Sequence, residues 1–178
     1  MSERFLKPIR KQVYNLIPEN SKVIDIGCGK GYLLRELSDK INYGLGININ
    51  KRKIKYANKN KEDNLEFQIC NSTNLNLKEK FDYAIAMFTI HSMNYFSQIK
   101  TLENMSRVSD KIIIADYIWP NSFLKKMMIY IDEIFAGHYK NFKNYQKIRV
   151  EKLISDSGLK LEKEINGINE IYKIWICE

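Results

Sequence analysis

The chain has few of the residues that build metal sites and disulfide frameworks. Its 178 residues include only three cysteines and two histidines. The cysteines, Cys28, Cys70 and Cys177, are odd in number, scattered, and form no C-x-x-C pair. These counts favour reduced thiols in a cytosolic protein without structural zinc, and the sequence predicts no metal ligands.

Long apolar runs are also missing. Residues 1–8 contain no apolar segment that could serve as a signal peptide. The most apolar helix candidate, residues 123–135, is interrupted by Asp132 and Glu133 and is too short to span a bilayer. We therefore expect a cytoplasmic protein with no transmembrane segment.

Acidic residues are scarce in the first third of the chain. Residues 1–60 hold 13 Lys and Arg against 5 Asp and Glu, whereas residues 61–178 hold 16 of each, so the net charge of +8 lies near the N-terminus. A basic surface attracts nucleic acid, anionic lipid or acidic small molecules. A lysine-rich solvated surface is the simpler interpretation, so a nucleic-acid partner is possible but not favoured.

Strand and helix patterns alternate along the chain, which predicts one α/β domain over residues 1–178. Strands are predicted at 22–26, 43–48, 65–70, 82–87 and 111–116, and helices at 5–16, 31–39, 51–60 and 97–107. A further helix near 145–157 ends at Gly158, and residues 159–165 and 170–177 flank a turn-rich spacer, which predicts a terminal β-hairpin.

A glycine-rich turn follows the first predicted strand. Gly27, Gly29 and Gly31 stand at alternate positions between an apolar strand and a helix start. Glycine permits a sharp turn and a close approach of ligand to backbone, and the helix dipole adds positive potential there. The dinucleotide fingerprint G-x-G-x-x-G would need glycine at position 32, which is Tyr32, and this disfavours a nucleotide-dependent oxidoreductase.

Together with Asp25, this turn resembles the first motif of the class I S-adenosylmethionine-dependent methyltransferases, an acidic residue followed by G-x-G-x-G. The resemblance implies a single-domain Rossmann-like fold: a seven-stranded, mostly parallel sheet with helices on both faces and an antiparallel last strand beside the fifth. It also implies S-adenosylmethionine as the cofactor, S-adenosylhomocysteine as its product, and methyl transfer as the activity.

The resemblance places the cofactor contacts at four strand ends. Asp25 and the glycine turn would face its methionine part, whereas Asn48 and Asn71 stand where the family usually has acidic residues at the ribose and the adenine. An amide lacks the charge-assisted hydrogen bond of a carboxylate, so we expect weaker binding. The predicted contacts are Asp25, Gly27, Cys28, Gly29, Gly31, Tyr32, Leu33, Asn48, Ile49, Asn71, Ser72, Thr73, Met87 and Phe88.

The acceptor site is predicted beneath two lid segments, residues 1–20 and 117–145. An apolar stripe in the second segment is typical either of core packing or of a lid over a flat, apolar substrate. This stripe consists of Phe123, Met127, Tyr130, Ile131, Ile134 and Phe135. The predicted catalytic residues are His138, His91 and Asp116 as candidate bases, with Tyr117 and Tyr139 orienting the acceptor.

The sequence thus predicts an S-adenosylmethionine-dependent methyltransferase acting on a small-molecule acceptor. The loop after the fourth strand lacks the Asn/Asp-Pro-Pro-aromatic motif of amino-group methylation on bases, and no cysteine precedes a proline as cytosine-carbon methylation would need. RNA and lipid acceptors remain alternatives. So does a cofactor-binding regulator without turnover, because of the amides at Asn48 and Asn71. No motif identifies the acceptor, the methylated atom or the oligomeric state.

Overall fold

A seven-stranded sheet forms the centre of the structure. The computed structural model describes residues 3–168 and 170–178. The strands are β1 (Lys22–Ile26), β2 (Tyr43–Asn48), β3 (Leu65–Ile69), β4 (Phe81–Met87), β5 (Ser109–Tyr117), β6 (Leu161–Asn166) and β7 (Tyr172–Cys177). Their order is β3-β2-β1-β4-β5-β7-β6, and β7 pairs antiparallel with both its neighbours while the other pairs are parallel. The predicted fold class is confirmed.

Helices cover both faces of the sheet. They are α1 (Glu3–Leu16), α2 (Tyr32–Leu37), α3 (Lys51–Lys59), α4 (Tyr95–Val108), α5 (Phe123–Ala136), α6 (Tyr139–Tyr145) and α7 (Val150–Asp156). Alternate side chains of the buried strands point to opposite faces. Ile113 of β5 packs in the cluster beneath α1, α2 and α3, and its neighbours Ile112 and Ile114 pack in the cluster beneath α4, α6 and α7.

Local signals account for several helix boundaries. Asn50 caps α3, because its Oδ1 accepts hydrogen bonds from the backbone N–H groups of Arg52 and Lys53. Ser122 caps α5, and Gly137 ends that helix in the left-handed conformation. An N-cap of this kind contributes about 1 kcal/mol.

The predicted helix at 145–157 was wrong in its first half. The structure instead contains α6, which ends at Tyr145, and α7, which begins at Val150. In one continuous helix these two side chains would lie about 140° apart around the axis. The break after Tyr145 turns α7, so that Tyr145 and Val150 are both buried in the same cluster.

The parallel arrangement brings the carboxyl ends of β1, β2, β3, β4 and β5 to one edge of the sheet. The loops that follow these strands therefore meet there, at the edge where open α/β sheets bind their ligands. None of the described helices is long and apolar enough to cross a membrane.

Candidate active site

The turn between β1 and α2 places three glycines in the left-handed backbone region. The φ angles of Gly27, Gly29 and Gly31 are 79°, 57° and 76°. A Cβ on Gly27 would lie 2.3 Å from Thr89 Oγ1, and one on Gly31 would lie 2.5 Å from the Phe67 ring. A Cβ on Gly29 would meet nothing within 4 Å. Packing therefore requires glycine at 27 and 31, whereas Gly29 leaves open a space that a ligand can occupy.

A cleft follows the carboxyl edge of the sheet and consists of two cavities. The inner cavity has a volume of about 410 Å³ and is lined by residues that include Asp25, Gly29, Tyr32, Met87, His91 and Glu133. The outer cavity has a volume of about 430 Å³ and is lined by residues that include Asn48, Ile49, Asn71, Ser72, Thr73 and Asn94. Gly27, Lys53, Phe88 and His138 line both cavities, which therefore adjoin.

The structure brings nearly all the predicted cofactor contacts to this cleft. Those that line it are Asp25, Gly27, Cys28, Gly29, Tyr32, Leu33, Asn48, Ile49, Asn71, Ser72, Thr73, Met87 and Phe88. Gly31 lines neither cavity, because it packs against Phe67. Phe88 has a φ of 49°, an uncommon conformation for a bulky side chain and one that is enriched at functional sites.

Asp25 is a buried carboxyl group at the inner cavity. Only 3% of its surface is exposed. Burial raises the pKa of Asp25 to about 7, because the charged form loses its hydration. A cationic ligand beside Asp25 would therefore favour the ionised carboxylate.

The two asparagines at the outer cavity already use their amide oxygens. Asn48 Oδ1 accepts a hydrogen bond of 2.8 Å from Asn50 N. Asn71 Oδ1 accepts hydrogen bonds of 3.0 Å from both Thr73 N and Thr73 Oγ1. An amide oxygen has two lone pairs, so in this conformation Asn71 has none left for an adenine amino group. This differs from the expected contact, because the loop after β3 forms its own Asx turn.

Ser72 fastens the same loop to α4. Its hydroxyl is 2.8 Å from Thr101 Oγ1, and its carbonyl oxygen accepts a hydrogen bond of 2.6 Å from Asn104 Nδ2. All three residues are buried. The side chain of Ser72 therefore fixes the wall of the outer cavity.

His91 and Asp116 form a buried pair at the far end of the inner cavity. His91 Nδ1 lies 2.6 Å from Asp116 Oδ1, and the backbone N–H of His91 donates to Asp116 Oδ2 over 3.1 Å. Burial lowers the pKa of His91, but the carboxylates of Asp116 and Glu133 outweigh this effect and raise it to about 9. Asp116 is fully buried and lies outside both cavities, so it positions His91 and does not face the cleft.

Glu133 lies between the two histidines. Its Oε1 is 3.4 Å from His91 Nε2, and its Oε2 is 3.7 Å from His138 Nδ1. The turn at Gly137 brings His138 back beside α5, where its backbone N–H donates to the Glu133 carbonyl oxygen over 3.0 Å. His138 is partly exposed, and burial lowers its pKa. We call His91, Glu133 and His138 the inner cluster.

The two predicted orienting tyrosines lie outside both cavities. Tyr117 is buried, and its ring packs against that of His91 with the centroids 4.9 Å apart. Tyr139 is exposed and packs against Tyr130. Tyr117 thus supports the inner cluster from behind, whereas Tyr139 is separated from the cleft.

Both predicted lid segments contribute to the walls of the cleft. From α1, Leu6 and Arg10 line the inner cavity, while Met1 and Ser2 lie outside the described residues. From α5, the side chains that line it are Asp132, Glu133 and Ala136.

The expected role of the apolar stripe of α5 was wrong. Phe123, Met127, Ile131, Ile134 and Phe135 are exposed. At about 100° per residue, these positions lie on the opposite side of the helix from Ile129 and Glu133, the two buried residues. Five of the six side chains of the stripe therefore neither pack in the core nor cover the cleft. The sixth, Tyr130, is half-buried and packs against the core.

Three residues that line the inner cavity, Glu133, Arg10 and Lys53, were not predicted from the sequence. Glu133 was treated only as a charge that interrupts an apolar helix. One signal was available in the sequence. A helix that ends at Gly137 turns the chain back on itself, so that His138 lies beside the last helical turn, which contains Glu133. Arg10 and Lys53 lie in lysine- and arginine-rich segments that offer no local signal.

Comparisons with known proteins show the family of the chain. Residues 17–170 match the family model described as "Methyltransferase domain". The protein 235L of Invertebrate iridescent virus 6, whose name suggests a methyltransferase, is 26% identical over 157 residues, covering 83% of this chain and 58% of that protein. The chain spans about three fifths of the length of the curated relatives it matches.

Two solved structures share the fold. A SAM dependent methyltransferase from Aquifex aeolicus has a TM-score of 0.73 and 17% identity, with 99% of this chain and 93% of that chain covered. Magnesium protoporphyrin IX methyltransferase from Synechocystis, solved with bound SAH, has a TM-score of 0.69 and 14% identity, with coverages of 99% and 88%. With its acidic residue, glycine turn and matching family model, the chain belongs to the S-adenosylmethionine-dependent methyltransferases of class I fold.

Proposed function

We propose that the chain methylates a small-molecule acceptor held in the inner cavity beside the inner cluster. The observation that carries this proposal is the position of the inner cluster, in the same cavity as Gly29 and Asp25 and behind walls from α1 and α5. A volume of about 410 Å³ lies within the usual range for small-molecule sites. The scattered, mostly buried cysteines favour a reducing, cytoplasmic setting.

The residues of the cleft fit the cofactor. The open space at Gly29 leaves room for it, Asp25 provides a buried carboxyl for its cationic methionine part, and Asn48 and Thr73 line the outer cavity for its adenosine part. S-adenosylmethionine supplies an electrophilic methyl group on a sulfonium when bound. The chain's own task is to align an acceptor and exclude water. Phe88 and His138 lie at the junction of the two cavities, and His91 and Glu133 line the inner one.

A transfer of labelled methyl groups tests the proposal. The full chain is incubated with a cell extract and S-adenosylmethionine bearing a trideuterated methyl group, and the small-molecule, lipid, RNA and protein fractions are analysed by mass spectrometry. We expect the label in the small-molecule fraction, and none with a Gly29→Val variant. Label confined to RNA or protein would overturn the proposal, and cofactor binding without any label transfer would favour a regulator.

A lipid acceptor is the second candidate, because α5 carries an exposed apolar face beside lysines. The exposed apolar residues of that face are Phe123, Leu124, Met127, Met128, Ile131, Ile134 and Phe135. Lys125 and Lys126 belong to the same helix. Such a helix is typical of proteins that lie on a membrane surface. Label in the lipid fraction would favour this candidate over the first.

The affinity for S-adenosylmethionine is expected to rise with pH through neutrality. Asp25, with its pKa raised to about 7 by burial, is mostly protonated below that pH and ionised above it. The cationic cofactor binds better to the ionised form. Calorimetry at about pH 6 and about pH 8 should show tighter binding at the higher pH in the wild type and a weaker pH dependence in Asp25→Asn. An unchanged slope in this variant would contradict the assignment.

Asn48→Asp is expected to tighten cofactor binding. Asn48 Oδ1 already accepts from Asn50 N, so a carboxylate would add a second, charged oxygen for the ribose hydroxyls. Hydrogen bonds to charged groups contribute about 1.5–3 kcal/mol against about 1 for neutral ones, so the Kd should fall about 2- to 30-fold. Asn50→Asp is the matched control, since it adds the same charge nearby and retains the helix cap. Equal effects in the two variants would indicate a general electrostatic cause.

A further inference from the structure

We propose that His91, Glu133 and His138 bind one divalent transition-metal ion of the zinc type. Binding of the ion follows from the inner cluster itself, while its role toward an acceptor rests on the proposed function. Each residue offers one ligand atom, and these atoms lie within 4.8 Å of one another. No sequence motif predicts this site, because the three residues come from the loop after β4, from α5 and from the turn after α5.

The distances suit a single ion. Ligand atoms at about 2.1 Å from a tetrahedral ion lie about 3.4 Å from one another. Glu133 Oε1 is 3.4 Å from His91 Nε2, and Glu133 Oε2 is 3.7 Å from His138 Nδ1. With one ligand atom taken from each residue, the three atoms lie within 4.8 Å of one another. Side-chain movements of about 1 Å would bring them to metal-binding geometry. The partly exposed His138 can move by that amount.

The unpartnered oxygen of Glu133 is an independent observation that points to a cation site. Its side chain is 4% exposed. Its Oε2 has no hydrogen-bond partner within residues 3–168 and 170–178. A buried carboxylate oxygen without a donor is costly, and a bound cation would compensate it. The gap of 3.7 Å to His138 is too long for a hydrogen bond but leaves an ion within reach of both atoms.

The surroundings of His91 are those of a metal-binding histidine. Asp116 holds the ring nitrogen Nδ1 at 2.6 Å, so that Nε2 points at Glu133. Histidine ligands of metals usually donate the other ring N–H to a carboxylate or carbonyl, which fixes the orientation of the ring. Tyr117 packs its ring against that of His91. His91 is therefore oriented by two buried partners, Asp116 and Tyr117.

The ligand set selects the kind of ion. Two imidazoles and one carboxylate are typical of catalytic zinc sites, which leave a fourth position open. The same set suits other divalent transition metals, whereas Mg²⁺ and Ca²⁺ prefer oxygen ligands.

The open position gives the ion a role in the proposed reaction. An acceptor hydroxyl or thiol bound there would lose its proton to solvent more readily. Its lone pair would then form the bond to the methyl carbon as the carbon–sulfur bond of the cofactor breaks.

Metal binding can be measured without any activity assay. The full chain is freed of metal with a chelator and titrated with Zn²⁺ by calorimetry and with Co²⁺ by absorption spectroscopy. We expect one ion per chain and the visible bands of four- or five-coordinate Co²⁺. Glu133→Gln and His138→Ala should each weaken binding at least about 100-fold, and Asp116→Asn about 10- to 100-fold. Circular dichroism checks the fold of each variant, and the partly exposed His138 is the site least coupled to folding.

Three outcomes would overturn the metal site. The first is that Zn²⁺ shows no saturable binding. The second is that Zn²⁺ affinity is unchanged in both Glu133→Gln and His138→Ala. The third is that Co²⁺ gives the intense near-ultraviolet bands of a thiolate complex, which would indicate a cysteine site. Methyl transfer that survives complete metal removal, in a chain that binds no Zn²⁺, would overturn the metal site and leave the proposed function intact. Stoichiometric Zn²⁺ binding without methyl transfer would overturn the proposed function and leave the metal site intact.

Discussion

Gly29→Val should abolish binding of S-adenosylmethionine and leave the protein folded. A Cβ at this position meets no protein atom within 4 Å, so the new side chain would project into the space of the cleft. A φ of 57° adds backbone strain of about 1–2 kcal/mol, which a domain of this size tolerates. We expect the Kd measured by calorimetry to rise at least about 100-fold, the loss of about 3 kcal/mol of binding energy.

Gly158→Val is the matched control for this variant. Gly158 has a φ of 75° and also has no atom within 4 Å of its Cβ position, but it lies after α7, outside both cavities. It should show the same modest loss of thermal stability with unchanged cofactor affinity. Gly27 and Gly31 are unsuitable sites for the test, because their Cβ atoms would collide with Thr89 and Phe67. Wild-type affinity in a folded Gly29→Val variant would place the cofactor elsewhere.

His138→Ala should lower turnover about 100-fold or more while the Kd for S-adenosylmethionine stays unchanged. His138 lies at the junction of the two cavities and contributes to the inner cluster, whereas the glycine turn and the strand ends surround the predicted cofactor space. The loss is expected in kcat, because the side chain acts on the acceptor and not on the cofactor. Turnover is measured with the acceptor identified by methyl labelling.

Lys143→Ala is the control for His138→Ala, since Lys143 is an exposed residue of α6 that lines neither cavity. It should retain wild-type turnover. Parallel losses of cofactor affinity and turnover in His138→Ala would assign His138 to the cofactor site. Full activity would leave His91 and Glu133 as the residues that act on the acceptor.

The fold could be predicted from the sequence because its signals are local. The run Ile112-Ile113-Ile114 is typical of a strand buried on both faces, and the glycines of the first turn occur in one uninterrupted motif. The predicted cofactor contacts follow from the same signals, since they stand at strand ends or in the turns that come directly after them. The hydrogen bonds that occupy the Asn71 amide oxygen were not predictable, because loop conformation decides them.

The inner cluster depends on tertiary structure alone. His91 and Glu133 are 42 positions apart in the sequence and meet only because the fold places α5 beside the loop that follows β4. The sequence also did not predict which side of α5 faces the protein. An apolar stripe normally predicts the buried side of a helix, and here the buried side carries Ile129 and Glu133. Glu133, the charged residue that interrupts the apolar sequence, marks the buried side of α5.

The Asp116 carboxyl group makes three contacts that hold the loop after β4 and the His91 ring in place. Its two oxygens accept hydrogen bonds from His91 N and Tyr117 N, and its Oδ1 also pairs with the His91 ring, so one carboxyl group connects the loop after β4 to the end of β5. A substitution of Asp116 would disturb both the backbone of the loop at His91 and the orientation of the His91 ring. Homologous enzymes that retain His91 should therefore retain Asp116 even where α5 and its exposed face have diverged, and the two positions should be lost together in lineages that have changed their chemistry.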